Sequence, residues 1–280
     1  MACASGGRTR SFVLGNFDKH TDWSEALHKV EVVVHLAGVA EAPKNDQSET
    51  VRSNVDAAIN LAKQAEKHGV RRLVFLSSIK VNGDQSFKNK PFTEMDAPNP
   101  KGVYAKSKLH AEELLNQLSD VSNLEIVIIR CPLIYGRGMK GNLIKLVNFV
   151  RSGFPVPLGA VNNRRSYLSI DALNSFIALC STHHASANQT FLISDPNTLS
   201  TGLLVRLIDD AFGNSGFIVS FPIKLIWIVL FMTGNRSIGK SLLSSSEIDT
   251  TKAKDLLGWK SNVETAEELG LLFRKLASND

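Results

Sequence analysis

Three side chains in this 280-residue chain have the types and spacing to move a proton: Ser78, Tyr104 and Lys108. Tyr104 and Lys108 stand four residues apart in VYAKSKLHAEELLNQL, whose apolar spacing predicts a helix, so both project the same way. An ammonium beside a phenol favours phenolate. A tyrosine whose pKa starts near ~10 then becomes a usable acid or base near neutral pH. Alone, a Tyr-x-x-x-Lys pair is weak, because surface helices carry one by chance. Ser78 changes the balance. It closes RRLVFLSS, a predicted strand preceding that helix, and ligands of open parallel sheets bind beyond the carboxyl ends of the strands. A hydroxyl there can hold a substrate oxygen while Tyr104 exchanges its proton. The plainer reading of Ser77-Ser78 is turn chemistry.

The elements that would position these residues alternate. EVVVHLAG (31–38) reads as a buried strand, and SETVRSNVDAAINLAKQAEKHG as a helix stopped by Gly69. RRLVFLSS (71–78) is the next strand, and LEIVIIRCPLIYG (124–136) a third that ends at Pro132. SFVLGN (11–16) is a candidate for one more. That order predicts an α/β protein: a parallel sheet with helices on both faces. After Gly136 helical patterns dominate, at 142–151, 171–182, 201–212, 223–232 and 264–276, with short strand-like pieces at 165–169 and 190–194. The expected organisation is a sheet domain over 1–135 and a smaller, mainly helical lobe over 136–280, interleaved with the sheet.

The bulk properties narrow the class. The chain is 43% hydrophobic and 21% charged with a formal charge of +5. Cations and carboxylates are interspersed, as in KQAEKHGVRR, which reads as solvated helix faces and not as a nucleic-acid groove. A mild positive balance suits an anionic small substrate. Cys3, Cys131 and Cys180 are too few and scattered for a disulfide framework or a zinc site, the seven histidines have no metal spacing, and no metal is expected. His35, at a strand end, reads as packed or beside a ligand. The first residues lack the apolar core of a signal peptide, so the expected compartment is the cytoplasm. FIVSFPIKLIWIVLFM (217–232) is too short to span a bilayer and is interrupted by Pro222 and Lys224. It predicts a packed helix of the lobe beginning at Pro222, with a membrane-surface helix as the alternative.

HLAG, FLSSIKVNG, YAKSK, RCPLIYGRGMKGN, VPLGAVNNRRSYLSID and DTTKAKDLLGW, in that order, resemble the extended short-chain dehydrogenase/reductases. The nearest group is the NAD-dependent epimerase/dehydratase family that modifies nucleotide-sugars for surface polysaccharides. The resemblance implies a Rossmann-like sheet and a triad of Ser78, Tyr104 and Lys108, with Lys108 also on the nicotinamide ribose. It implies that Leu36, Ala37 and Gly38 line the cofactor by backbone, that Asn54 supports that wall, and that Pro132 sits by the nicotinamide. Lys80, Asn142, Leu158 and Arg165 would face the nucleotide-sugar, with Arg165 on the diphosphate. The cofactor implied is NAD, with NADP open. The partners implied are a nucleotide-sugar, a UDP-sugar first among them, and a second copy in a homodimer; no nucleic acid and no transmembrane segment are expected.

Two departures stand against that pattern. Asn16 stands where the family usually carries an Asp near the adenine. SFVLGN aligns with the family's third strand, so the first strand, the glycine-rich turn, the first helix and the second strand have no counterpart. MACASGGRTR lacks the strand and helix that a phosphate loop needs on either side. The fold expected is therefore N-terminally truncated, with a weakened pyrophosphate grip. Three functions follow. The first is a nucleotide-sugar epimerase working by oxidation and reduction at C4. The second is an NAD(P)H-dependent nucleotide 4-keto-sugar reductase with the same triad. The third, of another class, is a non-catalytic remnant or scaffold.

Overall fold

The computed structural model describes residues 2–5, 8–12, 18–40, 47–87, 89–213, 217–234 and 236–278. In chain order the strands are β1 (Ala2–Ser5), β2 (Arg8–Ser11), β3 (Val32–His35), β4 (Arg72–Ser78), β5 (Glu125–Cys131), β6 (Leu133–Tyr135), β7 (Tyr167–Ser169) and β8 (Gln189–Leu192). The helices are α1 (Ser24–Leu27), α2 (Gln47–Val51), α3 (Ala57–Lys67), α4 (Gly102–Asp120), α5 (Asn142–Arg151), α6 (Ile170–Thr182), α7 (Thr201–Ala211), α8 (Ile223–Met232), α9 (Arg236–Leu243), α10 (Thr251–Leu257) and α11 (Thr265–Ser278).

Strands β3, β4, β5 and β8 form one parallel sheet in the order β3-β4-β5-β8. The middle stretches of β4 and β5, Leu73–Leu76 and Ile126–Ile129, are apolar on consecutive residues because both faces are covered. Alternation sends Leu73 and Phe75 of β4, with Ile126 and Ile128 of β5, toward α1, α3 and α4. Val74, Val127 and Ile129 point the other way, into a core shared with α6, Phe191 and Trp259. Helices therefore lie on both faces, as expected. A third core joins α5, α7 and α11 in the lobe. The fourth strand of the main sheet, β8, comes from beyond residue 136.

The fold differs from the expectation in three places. The expected strand 124–136 is two strands: Pro132 has no N–H for the ladder, and after it β6 leaves β5 to pair with β7 in a separate parallel pair. The expected long helix from Ser48 to Gly69 carries a π-type turn at Arg52–Asp56 between α2 and α3. At the amino end, β1 and β2 make an antiparallel hairpin that pairs with no strand of the main sheet. Ser11 closes β2 and Phe12 packs on the first core. Residues 13–17 of the candidate strand, Asn16 among them, lie outside the described residues.

Candidate active site

The site is built where β4 and β5 end together, with β3 stopping three residues earlier. In register, Ser78 of β4 lies opposite Cys131 of β5, and His35 of β3 opposite Phe75 of β4. Beyond those ends is a cleft of about 730 Å³, large enough for a small ligand. Ser78, Lys80, Tyr104, Pro132, Asn142 and Arg165, six residues that the sequence reading singled out, all line it. Ser78 reaches it because the strand stops there, its hydroxyl accepting the N–H of Lys80 at 3.3 Å. Tyr104 reaches it from the first turn of α4, and Asn142 is the first residue of α5.

Lys108 does not line the cleft. It is buried one turn behind Tyr104, its ammonium donating to the Leu76 carbonyl at 2.9 Å and standing 4.5 Å from the centre of the Phe75 ring. Burial pulls its pKa down to about 8, against the opposing pull of Glu112. Burial also raises the Tyr104 pKa, only partly offset by the Ser78 hydroxyl bonded to the phenol. This corrects the expectation that Lys108 lowers it. In the fold, loss of water dominates at the phenol, and the lysine's ammonium is engaged by the Leu76 carbonyl and the Phe75 ring. Tyr104 is thus a neutral phenol at pH 7, a proton donor poised beside Ser78.

The turn after β3 is held from below. Asn54, fully buried in the π-type turn, accepts from the Val39 N–H at 2.8 Å and donates to the Val39 carbonyl at 3.1 Å. Its amide also donates to Ser107 Oγ at 3.0 Å, and that hydroxyl donates to the Tyr104 carbonyl at 2.8 Å. One side chain therefore ties the Leu36–Val39 turn to the first turns of α4. A wider helical turn is a common way to aim such a group. Gly38 faces this junction: a Cβ there would lie 3.0 Å from Asn54 Oδ1 and 3.2 Å from Lys108 Nζ. Leu36 is exposed at the sheet edge, and Ala37 is half-buried beside it. Leu158 goes elsewhere. It is buried in the lobe core and does not line the cleft.

Sequence reasoning missed two groups. The first is a buried network under the triad. Arg130 pairs with Glu112 at 2.6 Å and donates to Asn82 at 3.0 Å, while Ser77 donates to Glu112. The signal was available, since Glu112 stands four residues after Lys108 on α4. The second is the charge of the cleft. Lys101, Lys140 and Lys240 line it with Lys80 and Arg165, against one carboxylate, Asp84. Lys240 pairs with that carboxylate at 3.2 Å, and Arg165 donates to the Ser244 carbonyl at 2.9 Å. The surplus of cations favours an anionic ligand. His35 is buried and stacked on Phe75, and burial, then Lys108, pulls its pKa down to about 4. Cys131 and Cys180 are free thiols in the core.

A parallel sheet covered on both faces, with its cleft at the carboxyl ends of the strands, defines a Rossmann-like α/β protein. Residues 2–194 match the model of the NAD dependent epimerase/dehydratase family, and the chain belongs to that family. It is 35% identical to the UDP-glucose 4-epimerase of Vibrio cholerae over 254 residues, covering 89% of this chain and 77% of that protein. It is 25% identical to the dTDP-4-dehydro-6-deoxyglucose reductase of Escherichia coli over 259 residues, covering 89% of this chain and 76% of that one. Its fold is that of the UDP-glucose 4-epimerase of Thermotoga maritima solved with UDP-glucose, with a TM-score of 0.73, 23% identity, and coverage of 91% of this chain and 79% of that one. Among the described residues no helix is long and apolar enough to cross a membrane.

Proposed function

We infer that the protein is a nucleotide-sugar epimerase that oxidises and re-reduces the C4 carbon of a UDP-sugar. The observation that carries this reading is the convergence of Ser78 and Tyr104 in one cationic cleft, with Lys108 one helical turn behind. The match to the Vibrio cholerae UDP-glucose 4-epimerase supports the substrate class.

The residues present fit the nicotinamide end of NAD. Bare backbone at Gly38 leaves open the space beside Lys108 Nζ that a side chain would fill. The Leu36–Gly38 backbone, Asn54 behind it, Lys108 and Pro132 would hold the cofactor, which supplies a hydride acceptor when bound. Ser78 donates to the sugar C4 oxygen and fixes its place. Tyr104 would exchange the proton of that oxygen: as phenolate, the form that a bound nicotinamide's positive charge favours, it receives the proton when the alcohol becomes a ketone, and as phenol it returns it when the alcohol reforms. The cationic wall formed by Lys80, Lys140 and Arg165 draws in the diphosphate, and Arg165, held by the Ser244 carbonyl, is the group suited to bind it.

A second reading is a nucleotide 4-keto-sugar reductase. The raised Tyr104 pKa favours it, because a resting phenol is already the proton donor that ketone reduction needs. The match to the Escherichia coli reductase points the same way. One experiment separates the two. The purified protein is incubated with NAD and UDP-glucose or UDP-galactose, and the sugars are resolved by chromatography. Interconversion without net change in NADH supports the epimerase. Stoichiometric NADH consumption with a 4-keto-sugar, and no interconversion, establishes the reductase in its place.

A further inference from the structure

The segment from Phe217 to Met232 departs from its expectation as a packed helix. Pro222 does precede α8 and caps its start. Yet α8, IKLIWIVLFM, buries only Ile226, with Trp227 and Leu230 half-buried against the lobe core. Phe217, Leu225, Ile228, Val229, Phe231 and Met232 are exposed, the last five between 45% and 80%. Scattered exposed apolar residues are ordinary, but a contiguous helix of them is not. A helix apolar on nearly every side belongs against a partner or a bilayer.

Charge and length choose between them. From Ala211 to Ser246 the chain carries no carboxylate, and Lys224, on α8 itself, is exposed among the apolar residues. The exposed face of α8 offers almost no side-chain donor or acceptor beyond Lys224, whereas a protein interface carries a polar rim with several hydrogen bonds. A bilayer makes no such demand, and an anionic one complements Lys224 on a face without carboxylates. Ten residues of helix reach about 15 Å, half the hydrocarbon thickness, so α8 can lie in the interface but not cross it. Lys224 can extend its ammonium to the headgroups while its stem stays apolar. We propose that α8 and the exposed residues before it form a docking face for an anionic lipid bilayer.

This face is coupled to the cleft. Gly239 of α9 lies against the Trp227 ring of α8, where a Cβ would come within 2.8 Å. The next two residues, Lys240 and Ser241, line the cleft. Docking would therefore set the open cleft one helix away from the membrane surface. The inference stands independently of the reaction proposed above.

The test is sedimentation of the full chain with vesicles of phosphatidylcholine containing about 30% phosphatidylglycerol at about 0.1 M salt. The parent pellets with the vesicles. Val229→Glu/Phe231→Glu lowers its partition at least ~10-fold, since two apolar anchors become charges. Both sites are exposed, so the variant keeps its melting temperature, and a parallel melt checks this. Trp227 gives a second readout: Trp23 and Trp259 are buried in the cores, so quenching by brominated acyl chains reports the α8 tryptophan. A parent left in the supernatant, or a folded variant that pellets equally well, overturns the proposal. So does a dimer that the same substitutions dissolve with no vesicle binding, which assigns the face to a second copy.

Discussion

Replacing Lys108 by methionine should make the protein more stable and pH-insensitive at this site while removing its activity. Lys108 is 3% exposed, and its pKa falls from 10.5 to about 8. At about 1.36 kcal/mol per unit, the charged lysine costs the fold about 3 kcal/mol relative to a neutral one at pH 7. Methionine has nearly the same length and no charge to desolvate. What the variant loses is the donor to the Leu76 carbonyl, about 1 kcal/mol. The net gain expected is about 2 kcal/mol at pH 7.

The pH dependence is the sharper readout. Folding lowers this pKa, so between about 8 and 10.5 the unfolded chain binds the proton that the folded one has released. Parent stability from this group therefore rises with pH across that window, and below it the cost is fully present. Raising the pH from 7 to 9.5 should recover about 2 kcal/mol in the parent and nothing at this site in Lys108→Met. The stability gap should thus close. Urea unfolding of both proteins at the two pH values measures it directly. A variant less stable than the parent at both, by the same margin, would refute the reasoning: the ammonium would then be a stabilising structural group, not one held buried at a cost for chemistry.

Other expectations concern the site itself. Tyr104→Phe keeps the packing of α4 and should lower kcat ~100-fold or more in steady-state assays; near-normal turnover would remove Tyr104 from the mechanism. Asn54→Ala removes all three hydrogen bonds that tie the Val39 turn to α4. It should cost ~2–4 kcal/mol in chemical denaturation and raise the KM for NAD more than that for sugar; an unchanged melting curve would show the clamp to be ornamental. Arg165→Ala should raise the KM for a UDP-sugar ~10-fold or more with kcat little changed, and an effect on kcat alone would place Arg165 at the reacting carbon instead.

What the sequence disclosed and what it hid divide along a physical line. Periodicity and strand-end logic located β3, β4, β5 and α4, because apolar strands buried on both faces and a long helix are local patterns. Those elements alone bring Ser78 and Tyr104 to one place. Pro132 was read as an end, and it does end the β5 ladder; that the chain then starts a second parallel pair depends on β7, some thirty residues away, which no local pattern reports. Short, polar α10 and α9 escaped for the same reason, since their burial is decided by partners distant in sequence. The cationic cleft was hidden because Lys101, Lys140 and Lys240 come from three segments that only the fold assembles.

The electrostatics went wrong in an instructive direction. Spacing of four residues correctly placed Tyr104 and Lys108 on one side of a helix, but spacing says nothing of water. Once both are buried, desolvation sets the direction for each: the lysine is pushed toward neutrality and the phenol held protonated. A site in this state favours the neutral forms until something restores the balance. An anionic substrate or an oxidised, positively charged nicotinamide beside them would do so, the first by favouring the ammonium and the second by favouring the phenolate. The proton-transfer pair is therefore tuned by its ligands as much as by its own spacing. A titration of the Tyr104 phenol by its ultraviolet difference signal, using Tyr104→Phe as the blank, should show its pKa falling when NAD is added. A phenol pKa that stays above 10 with NAD bound would confine Tyr104 to donating protons and favour the reductase.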